Sequence, residues 1–312
     1  MESKRLFSLS SQSQHTAKPL NRRNILRLSL SVFALYPVLR GLAQTESNAN
    51  FSLITEGVVQ SADGTPIGYL KIGSGPGLVI VHGSISTGDE WVPVANVLAE
   101  RFTCYLMDRR GRGRSGDALD YSLDKECEDI KAVLDMAGPD AYLLGHSYGA
   151  ICTLETANTF SVSKLVLYEA PLPITGSVIP PAFDDMKVAI ENSQPEKALL
   201  IAYSKIVHES DENIARLQST PNWNEMIALT PGWVREMQVM QDLEHGVDRF
   251  SKMSSPTLLL LGTATAPHHI AASDALDEML PNSRTVKLQD QGHRAHLTST
   301  VDFAKKVTNF LI

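Results

Sequence analysis

From about Thr55 onward, short apolar runs alternate with stretches in which apolar residues recur every three or four positions. Val58–Gln60 and Ile67–Ile72, joined through Ala62-Asp63-Gly64-Thr65, predict an antiparallel hairpin with Asp-Gly at its turn. Leu78-Val79-Ile80-Val81 follows a breaker-rich Gly73–Gly77 and is apolar at every position, as a strand covered on both faces should be. Further strands are expected at Phe102–Met107, Ala141–Leu144, Lys164–Tyr168, Pro256–Leu261 and Thr285–Leu288. Helical spacing appears in Trp91, Val94, Val97 and Leu98, and again in Leu123, Cys127, Ile130, Val133 and Leu134 behind the N-cap candidate Ser122. It returns in Ala150–Ala157, in Ala271–Leu280 and in a last helix from about Thr300 to Leu311.

Strands alternating with helices imply an α/β fold with a mostly parallel, doubly wound sheet. The alternation fails once. Residues 171–255 carry helical patterns and no convincing strand, which is too long for a loop. They are read as a helical cap inserted into a core made of residues 44–170 and 256–312.

Charge changes the picture at the N-terminus. Residues 1–43 hold seven of the 28 basic residues and one of the 35 acidic ones, leaving 21 basic against 34 acidic in the rest. So acidic a body is a poor partner for nucleic acid or anionic lipid. The basic head, with Asn21-Arg22-Arg23-Asn24-Ile25-Leu26-Arg27, an apolar run Leu28–Leu39 and Gly41-Leu42-Ala43, resembles a twin-arginine export signal. It lacks the usual leading Ser and has Ile where Phe is common; an organelle transit peptide or an uncleaved leader are the alternatives. The apolar run is too short to span a bilayer, so an exported protein without stable membrane insertion is expected. Cys104, Cys127 and Cys152 are unclustered and fall in apolar patterns, which predicts buried thiols rather than a disulfide or metal site.

The chemistry gathers at strand ends. Gly145-His146-Ser147-Tyr148-Gly149 has the form G-x-S-x-G between an expected strand and an expected helix. There the glycines allow a tight turn that exposes the Ser147 hydroxyl, and the Tyr148 N–H faces a developing oxyanion. His82-Gly83-Ser84 leaves an earlier strand; Gly83 permits close approach, and the Ser84 N–H is the second expected oxyanion donor. His82 itself is read as structural. Gln291-Gly292-His293 follows the last strand and supplies the general base, with His296 as its rival. His268 and His269 are adjacent in an expected loop and are read as cap-facing or solvated, because no carboxylate or thiol nearby in sequence completes a metal set.

These motifs, with Asp108-Arg109-Arg110-Gly111-Arg112-Gly113-Arg114-Ser115, resemble the α/β-hydrolase superfamily over nearly everything after the leader. The last motif is similar to that family's D-x-R-G-x-G-x-S turn, and its arginines are read as solvated or paired. The resemblance implies a serine, histidine and acid triad. In most of the family an Asp follows the strand corresponding to Pro256–Leu261, but here that loop is Gly262-Thr263-Ala264-Thr265-Ala266-Pro267, without a carboxylate; Asp274 lies well beyond it. Glu169, at the end of Lys164–Tyr168, is the substitute. Certain haloalkane dehalogenases and the zearalenone-type lactonases place their acid after this earlier strand. Dehalogenase chemistry itself is excluded, since it needs a carboxylate nucleophile.

The expected activity is hydrolysis of a small carboxylic ester or lactone through an acyl-enzyme, requiring neither metal nor organic cofactor. Cofactor-free perhydrolysis or carbon–carbon bond hydrolysis on the same site remain open, as does a low-turnover binding protein on a hydrolase scaffold. Trp223, Met226, Trp233, Met237 and Met240 either roof a substrate pocket or form the core of the cap.

Overall fold

The computed structural model describes residues 53–174, 176–206 and 209–312; the leader lies outside the described residues. Eight strands form one sheet: β1 Thr55–Gln60, β2 Pro66–Gly73, β3 Gly77–Val81, β4 Thr103–Met107, β5 Tyr142–His146, β6 Leu165–Tyr168, β7 Thr257–Gly262 and β8 Ser283–Leu288. Their order is β1-β2-β4-β3-β5-β6-β7-β8. The β1–β2 hairpin and the β2–β4 pair are antiparallel, and every pairing from β4 through β8 is parallel. The carboxyl ends of β3, β5, β6, β7 and β8 therefore open on one edge, where an α/β sheet carries its site.

Side chains alternate across the sheet with period two. Val79, Val81, Tyr105, Met107, Leu165 and Leu167 face one core, together with helices α2 (Leu123–Ala137), α3 (Tyr148–Thr159) and α8 (Pro267–Met279). Leu78, Ile80, Cys104, Leu106, Val166 and Tyr168 face the other, with α1 (Val92–Leu98) and α10 (Thr300–Leu311), the latter preceded by the short α9 (Ala295–Thr298). Burying either layer removes an unbroken apolar surface from water, at about 25 cal/mol per Å². Ser122 caps α2 as expected, accepting the Lys125 N–H at 3.3 Å. All three cysteines are buried and free, and burial pushes the Cys104 and Cys127 thiols up to about 12.

Between β6 and β7 run α4 (Phe183–Glu191), α5 (Pro195–Ile201), a π turn (Ala202–Ile206), α6 (Asp211–Gln218) and α7 (Asn222–Asp242). Trp223 and Met226 join Leu199, Tyr203, Ile214 and Leu217 in a core of the helical insert itself, while Met237 and Met240 pack into the main core. Gly232, inside α7, leaves the space taken by the Arg112 guanidinium; a Cβ there would stand 2.7 Å from Nη2. The helical insert is thus keyed onto the D-x-R-G-x-G-x-S turn.

α8 begins at Pro267, four residues before the expected start, because proline is preorganised for a first helical turn. His268 and His269 consequently sit on a helix, not in a loop; His268 is exposed, as expected, and His269 is buried rather than solvated.

Candidate active site

Among the described residues, four of the five non-glycine residues with positive φ stand just beyond strand ends on the open edge: Ile85 (50°) after β3, Ser147 (55°) after β5, Glu169 (52°) after β6 and Asp290 (55°) after β8. A left-handed backbone costs a side chain about 1–3 kcal/mol and persists where surrounding contacts dictate it. Two of the four are expected triad members.

At Ser147 the chain passes from β5 directly into α3, and the Ser147 N–H donates to Tyr168 O at 2.9 Å. Ser147 is half-buried, whereas Tyr148 is fully buried at the first position of α3. Gly83 lies against this turn so closely that a Cβ would come within 2.9 Å of the Ser147 Cβ. Only glycine lets the Ser84 peptide pass there. Among the described residues, neither the Ser84 nor the Tyr148 N–H donates to a protein acceptor. Among the described residues, no hydrogen bond joins the Ser147 hydroxyl to a protein group.

Glu169 is buried, with Oε1 accepting the Gly262 N–H at 2.8 Å and Oε2 accepting the Thr265 hydroxyl at 2.8 Å. Oε2 also lies 2.6 Å from His293 Nδ1. A carboxylate only accepts, so Nδ1–H is the donor in this contact and Nε2 is the ring nitrogen left for the base role expected of His293. The side chain from β6 therefore fills the place beside β7 where the loop supplies no acid. The His293 backbone is held too: His146 Nε2–H donates to its carbonyl at 2.9 Å, and the Tyr168 hydroxyl binds both Gly292 O and, at 2.8 Å, the Ala295 N–H.

The rival His296 is fully buried, 2.9 Å from Glu90 Oε1 and stacked on Trp91 at 4.4 Å. It is walled off from the exposed edge that His293 reaches. His82 is buried as well, its Nδ1–H donating to Gly83 O at 2.7 Å and its Nε2 accepting the Arg109 N–H at 3.2 Å. Burial, then the charges of Arg109 and Arg112, lower its pKa to about 3, so it is neutral.

Thr265 and His269 are members of the cluster that the sequence did not reveal. The Thr265 hydroxyl donates to Glu169 and accepts from His269 Nδ1–H at 3.0 Å, and the His269 ring stacks on His293 at 4.3 Å. Burial first, then His293 and His268, bring the His269 pKa down to about 2. The signal that could have found this pair is Pro267, which places His269 in a first helical turn at the mouth of the sheet.

Glu169, His269 and His293 do bring three ligand atoms within 4.8 Å, so the expectation that nothing completes a metal set around His269 is corrected: Glu169, distant in sequence, does. Their geometry suits hydrogen bonding better than a shared ion. The His269 and His293 planes are 8° apart, and in-plane lone pairs on stacked rings run side by side instead of converging tetrahedrally. The second such trio, Glu90, His146 and His296, sits beneath the site and is already engaged with Arg294 and His293 O.

The D-x-R-G-x-G-x-S turn is paired where it is buried. Arg110 binds Asp129 at 2.7 Å, Arg109 binds Glu126 at 2.7 Å and Glu236 at 2.6 Å, and Arg112 binds Glu236; Arg114, partly exposed, meets Asp89 and Asp108. Burial opposes the charge on Glu126, but the Arg109 guanidinium outweighs it and holds the carboxyl at about 2.

A profile of the Alpha/beta hydrolase family matches residues 78–306. An alpha/beta hydrolase from Sphaerobacter thermophilus is 32% identical, with a TM-score of 0.70 over 79% of this chain and 99% of its own. The pimeloyl-[acyl-carrier protein] methyl ester esterase of Aeromonas hydrophila is 25% identical over 77% of this chain and 97% of its own length. N-formylmaleamate deformylase of Pseudomonas putida is 39% identical over 118 residues, which is 36% of this chain and 44% of the deformylase.

Proposed function

The chain belongs to the alpha/beta hydrolase family, and within it we propose a serine hydrolase that cleaves a small carboxylic ester or lactone through an acyl-enzyme. The observation that carries this reading is the buried Glu169 carboxylate, 2.6 Å from His293 Nδ1, at the same sheet edge as the strained Ser147 turn. In this reading Ser147 Oγ attacks the substrate carbonyl carbon while His293 Nε2 takes the hydroxyl proton. Glu169 holds the tautomer and offsets the imidazolium charge, and the Ser84 and Tyr148 N–H groups bind the oxyanion. Collapse breaks the C–O bond to the alcohol, which leaves with the proton from His293. Water, deprotonated by the same imidazole, then releases the acid and restores Ser147. With a lactone the alcohol and acid are the two ends of one product.

The substrate approaches beneath the helical insert. A cavity of about 60 Å³ there is bounded by Ile85 and Thr87 of the oxyanion loop, Arg294 beside the base, and Met226 and Leu229 of α7. The esterase relative acts, by its name, on a methyl ester, which supports an ester substrate. Among the described residues no helix is long and apolar enough to cross a membrane, and the basic leader supports export as the route by which the enzyme meets its substrate.

Hydrolysis of p-nitrophenyl acetate, butyrate and octanoate, with a panel of lactones followed by proton release, tests the reading. Turnover by the wild type that is lost in Ser147→Ala is expected. Equal rates in both proteins would reject it.

A further inference from the structure

Arg109 occupies the variable position of the D-x-R-G-x-G-x-S turn, yet its guanidinium is fully buried and touches both halves of the expected oxyanion hole. Its Nη1 donates to Gly83 O at 3.4 Å, and that oxygen also receives the His82 Nδ1–H at 2.7 Å. Gly83 O and the Ser84 N–H belong to one planar trans peptide and point in opposite directions. Holding the oxygen from behind therefore aims the Ser84 N–H forward, and donation to the carbonyl polarises the N–H at the other end. On the other side the Arg109 guanidinium lies 4.6 Å over the Tyr148 ring, which anchors the residue whose N–H is the second donor.

The guanidinium is in turn fixed by Glu126 on α2, through Nε at 3.1 Å and Nη2 at 2.7 Å, and by Tyr121 at 3.3 Å. Glu236 reaches the same Nη2 at 2.6 Å from α7 of the helical insert, and it also binds Arg112. Glu126 and Glu236 are both fully buried, so neither is an incidental surface ion pair.

We propose that Arg109 is the positioning residue of the oxyanion hole, orienting the Ser84 and Tyr148 N–H groups together, and that Glu236 couples the helical insert to that orientation. This rests on the ester-hydrolase reading above. Arg109 never touches the substrate; it acts through the Gly83–Ser84 peptide and the Tyr148 ring. Its loss therefore lowers kcat, where the oxyanion forms, and spares KM.

The test uses the charge-balanced double variant Arg109→Met with Glu126→Gln, which leaves the Arg112–Glu236 pair in place, and separately Glu236→Gln. Each is compared with wild type for ester turnover, normalised to active sites titrated with a fluorophosphonate. The double variant is expected to lose about tenfold or more in kcat, with KM within about twofold. Its fluorophosphonate labelling of Ser147 slows by a similar factor. The pH at which kcat/KM falls on the acid side stays as in wild type, since the Glu169–His293 pair is untouched. Glu236→Gln shows the same pattern at smaller size and keeps the test open should the double variant fail to fold. Unchanged kcat per site, or a loss carried by KM or by a moved acid limb, overturns this inference alone. Absence of Ser147 labelling in the wild type overturns the ester-hydrolase reading and this inference with it.

Discussion

Glu169 Oε2 stands 2.6 Å from His293 Nδ1, although the two residues are 124 positions apart and leave the sheet from β6 and β8, on either side of β7. The loop after β7 gives the carboxylate its hydrogen bonds, from the Gly262 N–H and the Thr265 hydroxyl, and provides no acid of its own. In the proposed triad the acid comes from one strand over and reaches the same nitrogen of the histidine. Glu169→Ala is predicted to lower kcat by about 10³–10⁴, as loss of a triad acid does, in a variant that still folds. A loss of only a few-fold in a folded variant would remove Glu169 from the triad.

Thr265 and His269 back each other up. In Thr265→Val the His269 Nδ1, now 3.5 Å from Glu169 Oε2, is free to donate to it directly. The single substitution is therefore expected to cost less than about tenfold in kcat, since one charge-assisted hydrogen bond replaces another. Thr265→Val with His269→Phe keeps the stacking ring but removes both donors. Its kcat is predicted to fall by more than the product of the two single effects, and a double-mutant cycle that closes additively would contradict this.

Gly83→Ala tests how tightly the oxyanion loop is drawn against the nucleophile. The new methyl would meet the Ser147 Cβ at 2.9 Å and His146 Nδ1 at 3.2 Å, so the loop must retreat. A retreat of even a few tenths of an ångström lengthens the Ser84 N–H contact to the oxyanion. A drop in kcat of about tenfold or more is expected, checked by steady-state kinetics on the folded variant.

Acid stability follows from the buried imidazoles. Burial, with smaller effects of neighbouring charges, lowers the pKa of His82 to about 3 and of His269 to about 2, and lowers those of His146 and His296 as well. Below about pH 6.5 His82 and His269 take up protons when unfolded but stay neutral when folded, and the lowered His146 and His296 act in the same direction. The unfolded state then binds more protons, and stability falls as pH drops, by about 1.4 kcal/mol per pH unit for each such histidine. Glu126 and Asp63, held at about 2, add nothing to this slope above pH 5, being ionised in both states; their contribution is lost only as pH falls from about 4.5 toward 2. Urea unfolding at pH 7, 6 and 5 should give a steadily decreasing free energy, and a flat profile would contradict the account.

Much of this edge was legible in the chain because its signals are local. The apolar runs at Leu78–Val81 and Pro256–Leu261, the strand–turn–helix setting of Gly145–Gly149 and the glycine before His293 each carry their meaning within a few residues. Glu169 came from the family resemblance: Gly262–Pro267 lacks the acid that most members carry there, and some members place theirs after the earlier strand, which here ends in Glu169. What stayed hidden depends on contacts between distant segments. Thr265 and His269 acquire their meaning from Glu169, 96 and 100 positions away in the chain, and Arg109 acquires its own from Glu236 on α7. No periodicity or spacing encodes such a meeting; only the closed sheet and the docked helical insert create it.

The most direct measurement is to incubate the purified protein with a fluorophosphonate and locate the adduct by peptide mass spectrometry. One equivalent on Ser147, absent in Ser147→Ala and strongly slowed in His293→Ala and Glu169→Ala, is the predicted result. A folded wild-type protein that stays unlabelled, or labels elsewhere, would contradict the assignment of an activated serine at the end of β5.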